Sequence, residues 1–392
     1  MAKIYYNRTL HPVGQGAFFT EHFRAENSEV PFFNIVYDCG SFTGANRKNL
    51  LLAPTILKNK INKTFPDMWH IDFLFISHFD GDHTNGLNEL LHKNLLDNKS
   101  YVFIPFKYPY LIPIIMHDDY PELAYFIDYC IKLKVNLIGF DGDENKILVD
   151  TNIEAISIEN LRDSISEKVL LKVNSSTDHH VIWFYMPFIL PEANQYRTTF
   201  ISEVEKIEKI NLNDVNSVIE HKEELRQIYK NVGKKIGNNT RINSNSLLLL
   251  SFPAKGVLDD IYCWKWCPQK EVLYRCSDTN CILVISCLYT GDTNLTSVYS
   301  QIIQFATNVL KHYSVSDIIG TVQIPHHGSK ECYPSQITTD HMVFSSFVNF
   351  SPNYNPPVFD MNILRQFAKE RKQLYLIASN CFTRVEMCAD LL

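Results

Sequence analysis

The feature that most constrains this chain is the hexapeptide His78-Phe79-Asp80-Gly81-Asp82-His83, which follows a continuous apolar run over residues 71–77. A run of that kind reads as a short strand buried on both faces. Four potential ligands therefore stand at a strand end, and a strand-to-helix turn can point all four inward. Two imidazoles and two carboxylates so close together are costly to bury without a cation. The fold must present this turn to a metal or leave it as a polar loop.

Two other places favour the metal. Tyr289-Thr290-Gly291-Asp292 ends an apolar strand with a carboxylate, and Ile324-Pro325-His326-His327-Gly328-Ser329 ends another with two imidazoles. Three strand ends then supply His and Asp groups to one edge of a sheet, which is how rigid elements build a ligand shell.

The rest of the chain supports a layered domain. Strands are expected at residues 4–6, 32–40 and 101–104, and later at 246–252, 281–289, 318–324, 342–348 and 374–378. Helical spacing appears over 46–62 and after Thr84. Alternating strands and helices imply an α/β (α+β) fold. Residues 199–236 differ: they are highly charged, with apolar positions at helical spacing (Val204, Ile207, Ile210; Val218, Leu225, Ile228). This reads as a helical hairpin inside an insertion over 140–240. Such a hairpin presents a solvated face, or a surface for a protein partner.

Composition excludes several classes. With 45% hydrophobic and 20% charged residues in 392, the chain is globular rather than disordered. A net charge of −6 argues against a cationic coat for nucleic acid but allows a local basic cleft. The longest apolar run, 181–190, is broken by Pro187 and is about half of what a membrane-spanning helix needs. The N-terminal residues lack the apolar core of a signal peptide. A cytoplasmic protein with no membrane partner is expected, its 10 cysteines reduced.

Taken in order, the motifs resemble the metallo-β-lactamase superfamily, and more specifically the metallo-β-lactamase-like domain of ComEC-type competence proteins and their free-standing relatives. Val13-Gly14-Gln15-Gly16 is similar to the family's opening glycine hairpin, and Tyr37-Asp38-Cys39-Gly40 to its strand-end Asp-x-Gly. Residues 77–87 match the His-x-Asp-x-Asp-His form of the metal motif. Asn243-Ser244-Asn245-Ser246, Thr290-Gly291-Asp292 and Pro325-His326-His327-Gly328-Ser329 complete the set. The likeness spans most of the chain except residues 140–240 and a cysteine loop near 263–281.

The resemblance implies a four-layer αββα sandwich and hydrolysis by a metal-activated water. Carried over residue by residue, it assigns one metal to His78 and Asp80 and a second to Asp82, His83 and His326, with Asp292 bridging. His327 is the alternative to His326, and Asp38 orients the motif. Asp82, His83 and Asp292 are then the catalytic residues. Two divalent ions are expected, Zn²⁺ first. Asp80, standing where the commoner motif has histidine, shifts the preference toward Mn²⁺. The family's middle histidine has no clear counterpart here, with His179 and His180 in Asp178-His179-His180 the candidates, unless they are strand-edge histidines without a role, and His117 a weaker one. The late histidine of the ComEC-type pattern is absent from Asn353-Tyr354-Asn355-Pro356-Pro357.

Cys263, Cys267, Cys276 and Cys281 form two close pairs that would suit a structural zinc or a hairpin tip with buried thiols. Lys234, Lys235, Arg241 and Lys330 are the cations nearest the motifs and are candidates for binding phosphate. Asn243 and Ser329 are candidates for touching substrate, with the backbone around Gly328 as a further donor. The ComEC-type likeness favours a nuclease or phosphodiesterase acting on DNA, or RNA. The alternatives are a small-molecule hydrolase of a cyclic nucleotide, ester or thioester, and a metal-bound binding module without turnover.

Overall fold

Strands that bury both faces organise the molecule. In the computed structural model, two sheets pack face to face. One has nine strands in the order β12-β11-β17-β1-β2-β3-β4-β5-β6, the other eight in the order β16-β15-β14-β13-β10-β9-β8-β7. The structure describes all residues except 1–2, 42–51, 67–68, 119–120, 141–153, 157–168, 177–179, 191–193, 237–245, 256, 258–262, 268–271, 277–284, 315, 352–358, 379–384 and 392. Among the described residues, no helix is long and apolar enough to cross a membrane.

The first sheet opens with the antiparallel strands β1 (Ile4–Leu10), β2 (Phe18–Ala25) and β3 (Phe33–Cys39). It continues in parallel through β4 (Phe73–Phe75), β5 (Tyr101–Ile104) and β6 (Asn136–Gly139). Alternate residues serve opposite faces, as the pleat requires. Phe73, Phe75, Tyr101 and Phe103 enter the core between the sheets. Leu74, Ile76, Val102 and Ile104 face a separate cluster built with α1 (Leu52–Thr64), α3 (Leu87–His92), α4 (Leu111–Ile115) and α5 (Pro121–Leu133), while the short α2 (Gly81–Thr84) closes the turn after β4. This is why the strands read as unbroken apolar runs.

The second sheet is parallel over β13 (Cys287–Tyr289), β14 (Ile319–Gln323), β15 (Val343–Asn349) and β16 (Gln373–Ile377). Helices α9 (Tyr299–Tyr313) and α10 (Asn362–Lys369) contribute Ile302, Val309, Ile363 and Phe367 to its core. The result is an α+β sandwich of helices, sheet, sheet and helices.

The stretch 140–240 departs from the expected insertion. It holds β7 (Glu154–Ile156), β8 (Val169–Asn174) and β9 (Val181–Phe188), all strands of the second sheet. Strand β9 pairs with β10 (Leu248–Pro253) along six positions, and Trp183 and Tyr185 are fully buried. Among the described helices and strands of this stretch, α6 (Asn194–Glu205), α7 (Val215–Glu220) and α8 (Lys222–Ile236) stand outside the sheets. These helices are not a purely solvated face either. Phe200, Val204, Leu225 and Tyr229 join the apolar cluster over the first sheet.

The cysteine loop contains the antiparallel strands β11 (Cys263–Cys267) and β12 (Val272–Cys276) at the edge of the first sheet; β11 also pairs with the last strand, β17 (Val385–Leu391). Register puts Cys263 opposite Cys276 and Cys267 opposite Val272. Four residues of extended backbone separate Cys263 from Cys267 by about 13 Å, too far for both to bind one zinc. Cys281 lies outside the described residues.

Candidate metal centre

Every strand that feeds the centre ends at the same edge of its sheet. Strands β3 and β4 run parallel, as do β13, β14 and β15. Their carboxyl ends therefore bring together Asp38, the His78–His83 turn, Asp292, the His326–His327 turn and the carbonyl of Asn349. Crevices at such ends are where layered α/β folds place ligands. The sheets are tied together beside this point, where Tyr37 Oη donates to Leu247 O at 2.8 Å and Leu247 N donates to Ser77 O at 2.7 Å.

The turns themselves are tightly built. Ala17 N donates to Asp82 O at 3.0 Å, so the glycine hairpin at 14–16 holds the metal-motif turn. A Cβ on Gly40 would lie 2.2 Å from Asp82 O, which excludes any side chain there. Six described non-glycine residues have positive φ, and three of them are Asp38, His326 and His327. Such conformations cost about 1–3 kcal/mol each and persist where the surroundings hold them. Half the left-handed residues thus fall at this one place.

Asp292 stands at the middle. Its Oδ2 lies 3.5 Å from His78 Nε2 and 3.9 Å from His326 Nε2. Its Oδ1 lies 3.2 Å from His83 Nε2 and 3.8 Å from His327 Nε2. Asp80 Oδ2 is 3.9 Å from His78 Nε2, on the Oδ2 side, and Asp82 Oδ2 is 3.1 Å from His327 Nε2, on the Oδ1 side. Two groups of three have ligand atoms all within 4.8 Å of one another: His78, His83 and Asp292, and Asp82, His83 and His327. The structure thus brings together His78, Asp80, Asp82, His83, Asp292, His326 and His327. It also puts His327, rather than His326, beside Asp82 and His83, while His326 approaches the oxygen that faces His78.

Each imidazole is aimed by its other nitrogen. His83 Nδ1 is 2.8 Å from Asp38 Oδ2, and His327 Nδ1 is 3.0 Å from Asn349 O. His78 Nδ1 is 2.9 Å from Ser77 Oγ, whose hydroxyl donates to Asp38 Oδ2. His326 Nδ1 is 3.3 Å from Cys332 Sγ. A carbonyl, and a carboxylate already taking two bonds from Ser77, can only accept. We therefore assign the Nδ1–H tautomer to His83 and His327, which leaves Nε2 with a free lone pair.

Those lone pairs have no partner. His78 Nε2, His83 Nε2, His327 Nε2 and Asp292 Oδ1 are buried and without any hydrogen bond. An unsatisfied buried polar group costs about 1–3 kcal/mol, so four converging on one point ask for a shared partner. Imidazole nitrogens and carboxylate oxygens are the donor set of a divalent cation of the zinc or manganese kind.

Without a cation, protons are drawn in instead. Burial pushes against a charged His83, but Asp292 and Asp38 outweigh it and raise its pKa. His327 follows the same pattern, with burial opposed by Asp292 and Asp82. Burial would raise the Asp82 carboxyl, yet His327, whose Nε2 lies 3.1 Å away, and the His83 charge pull it down to about 2. Asp292 is held well below the usual carboxylate range, burial being overcome by His83, His327 and His78. His326 is the exception: burial lowers its pKa more than Asp292 raises it.

Other expected residues fall elsewhere. His180 immediately precedes β9 at the sheet edge opposite the centre, as the Phe188–Leu248 and Pro253–Trp183 pairings require, so it is not the missing ligand. His117 is exposed beside Asp118. Gly328 N and Ser329 N already donate to Pro325 O and His326 O, which removes this backbone as a substrate donor. Lys330 is exposed and Ser329 half-buried. Lys234 and Lys235 lie in the last turn of α8, their side chains outside the described residues, as are His179, Arg241, Asn243 and Asn353–Pro357 altogether.

A second buried ionic cluster, not anticipated from the sequence, lies between the sheets. Arg8 Nε donates to Glu21 Oε1 at 2.8 Å, and Arg8 also donates to Ile285 O and Ser251 Oγ. Glu21 takes further bonds from Tyr289 Oη at 2.7 Å, from Ser251 Oγ and from Tyr185 Oη.

No protein-family model and no curated protein matches the chain. Among solved structures it is similar to unliganded yeast PDE1, at 10% identity over 100% of both chains and a TM-score of 0.38. So loose a likeness identifies neither family nor activity.

Proposed function

We propose that the chain is a metal-dependent phosphodiesterase that cleaves nucleic acid, DNA first and RNA second. The observation that carries the metal-dependent part is the convergence of His78, His83 and His327 Nε2 on Asp292 with no hydrogen-bond partner for any of them. His78, Asp80 and His326 would hold one cation with Asp292 Oδ2. Asp82, His83 and His327 would hold the other with Oδ1. The phosphodiester part rests on the likeness of the motif blocks to ComEC-type domains.

A pair of divalent cations supplies a nucleophilic water at neutral pH and Lewis acidity toward a phosphoryl oxygen. The chain's own groups do the rest. Asp38 and Asn349 O hold His83 and His327 in one tautomer and orientation. Asp82, kept ionised by its histidine neighbours, orients a water or takes its proton. Asp80 and His326 have side chains 32% and 24% exposed, against 0–4% for His78, His83, His327 and Asp292. Water and substrate therefore enter over Asp80 and His326.

The test is turnover of bis-(p-nitrophenyl) phosphate, linear and plasmid DNA, and RNA by protein reconstituted with Zn²⁺ or Mn²⁺. Cleavage that stops on chelation and returns with metal is expected. Turnover confined to a cyclic nucleotide, ester or thioester would replace this reading with a small-molecule hydrolase. No turnover by fully metallated protein would leave a binding module.

A further inference from the structure

Next to the His326–His327 turn lies a cavity of about 600 Å³ whose walls come from the loop after Asp292, the segment after that turn, and α10 with its approach. Thr296 belongs to the loop that carries Asp292. Lys330 and Tyr333 follow the His326–His327 turn. Asp360, Arg365 and Gln366 belong to α10 and its approach. Close packing couples the cavity to the turn. Asp360 N donates to Gly328 O at 2.9 Å, Leu295 N donates to Cys332 O at 3.2 Å, and a Cβ on Gly328 would lie 2.5 Å from Phe359 and 3.3 Å from Ile363.

The chemistry of the walls suits an anion. Lys330 has no ion pair or hydrogen bond among the described residues. Arg365 donates Nη1 to Asn362 Oδ1 at 3.1 Å and pairs with no carboxylate among them. Asp360 is the one opposing charge on these walls, and its Oδ1 already accepts from Asn362 N at 2.9 Å. The Tyr333 hydroxyl is buried, lacks a hydrogen-bond partner and can donate to an anion. Two cations without a carboxylate partner among the described residues and one unpaired hydroxyl, in a chain of net charge −6, form a local exception to its acidity.

We propose that this cavity is the subsite for a second phosphate group of the substrate, apart from the scissile one, with Lys330 and Arg365 as its ligands. The proposal rests on the phosphodiesterase reading and narrows it to substrates with more than one phosphate. It predicts a preference for oligonucleotides that carry a terminal phosphate over simple diesters.

The test uses a thymidine dinucleotide joined by an uncleavable methylphosphonate, with and without a terminal phosphate, titrated calorimetrically into metal-loaded protein. The wild type should bind the phosphorylated form about tenfold more tightly, the scale of one charge-assisted contact. In Lys330→Ala/Arg365→Met the two forms should bind within about twofold of each other, and the salt slope should fall by about two. Arg365→Lys, which keeps the charge, should retain part of the preference. No preference in the wild type, or one that survives the double substitution because the phosphate sits on the metals, would overturn the proposal. Turnover of bis-(p-nitrophenyl) phosphate separates the two claims: a preference without turnover sinks the hydrolase reading alone, and turnover without a preference sinks the subsite alone.

Discussion

Two buried ionic clusters lie between the same sheets, and they are built on opposite terms. In the first, Glu21 takes bonds from Arg8, Tyr289, Ser251 and Tyr185, and Arg8 spends its remaining donors on Ile285 O and Ser251. In the second, Asp292 faces four imidazoles, and three Nε2 atoms and its own Oδ1 remain without hydrogen bonds. They are neighbours: Tyr289 leads to Asp292, and Tyr37, stacked on Tyr289 at 4.8 Å, leads to Asp38. A closed network is part of the fold's own stability. An open one, held in strained backbone, is reserved for a partner the polypeptide does not supply.

The widest separation between the clusters should come from removing their central carboxylates. Asp292→Asn should lose bound metal and reduce turnover by at least about a thousandfold while the metal-free protein keeps its stability. Glu21→Gln should destabilise by about 3–5 kcal/mol, because it leaves Arg8 buried without its counter-charge, yet keep the metal stoichiometry of the wild type. Denaturation curves and elemental analysis on both variants decide it. A Glu21→Gln protein that loses metal at unchanged stability would erase the distinction.

Acid sharpens the same contrast. Burial would raise the Glu21 carboxyl, but Arg8 and the bonds from Tyr185 and Tyr289 hold it below the ordinary 4.5. A carboxylate lowered on folding adds stability that is complete above the unfolded value and is lost as pH falls through the folded one. Stability measured by chemical denaturation at successive pH values should therefore decline below pH 4.5 in the wild type, with a shallower slope in Glu21→Gln. An identical slope in both would remove Glu21 as the cause.

A smaller effect is expected one step out from the proposed metal ligands. Asp38→Asn weakens the hold on His83 Nδ1 and on Ser77 without touching a lone pair aimed inward. It should weaken metal affinity about 10–100-fold, in the range of such supporting partners. Competition with a chelator of known affinity measures it. An unchanged affinity would show that the tautomer is set elsewhere.

How much of this could be read from the sequence differs between the clusters too. The clustered His and Asp residues stand in contiguous motifs at the ends of apolar runs, so the edge they share is legible in the sequence. The choice between His326 and His327 was not, because it depends on two consecutive left-handed residues, and the Asn349 carbonyl that fixes His327 leaves no mark in residue type. The Arg8–Glu21 pair was hidden for another reason. Charged residues in strands read as solvent-facing, and only the register that sets Arg8 opposite Glu21 shows otherwise. Strands β8 and β9 read as part of an insertion because strands buried on both faces show no alternation and Pro187 interrupts the second. Pro187 is tolerated opposite Leu249 within the sheet.

The most direct test of the central claim is an anomalous-difference map, collected above the absorption edge of the reconstituted metal, from crystals of the full chain. Two peaks are predicted, one on each side of the Asp292 carboxylate, within about 2.0–2.2 Å of imidazole nitrogens or carboxylate oxygens of the cluster. A map with no peak beside Asp292, or with its only strong peak at the Cys263–Cys276 strand pair, would contradict it.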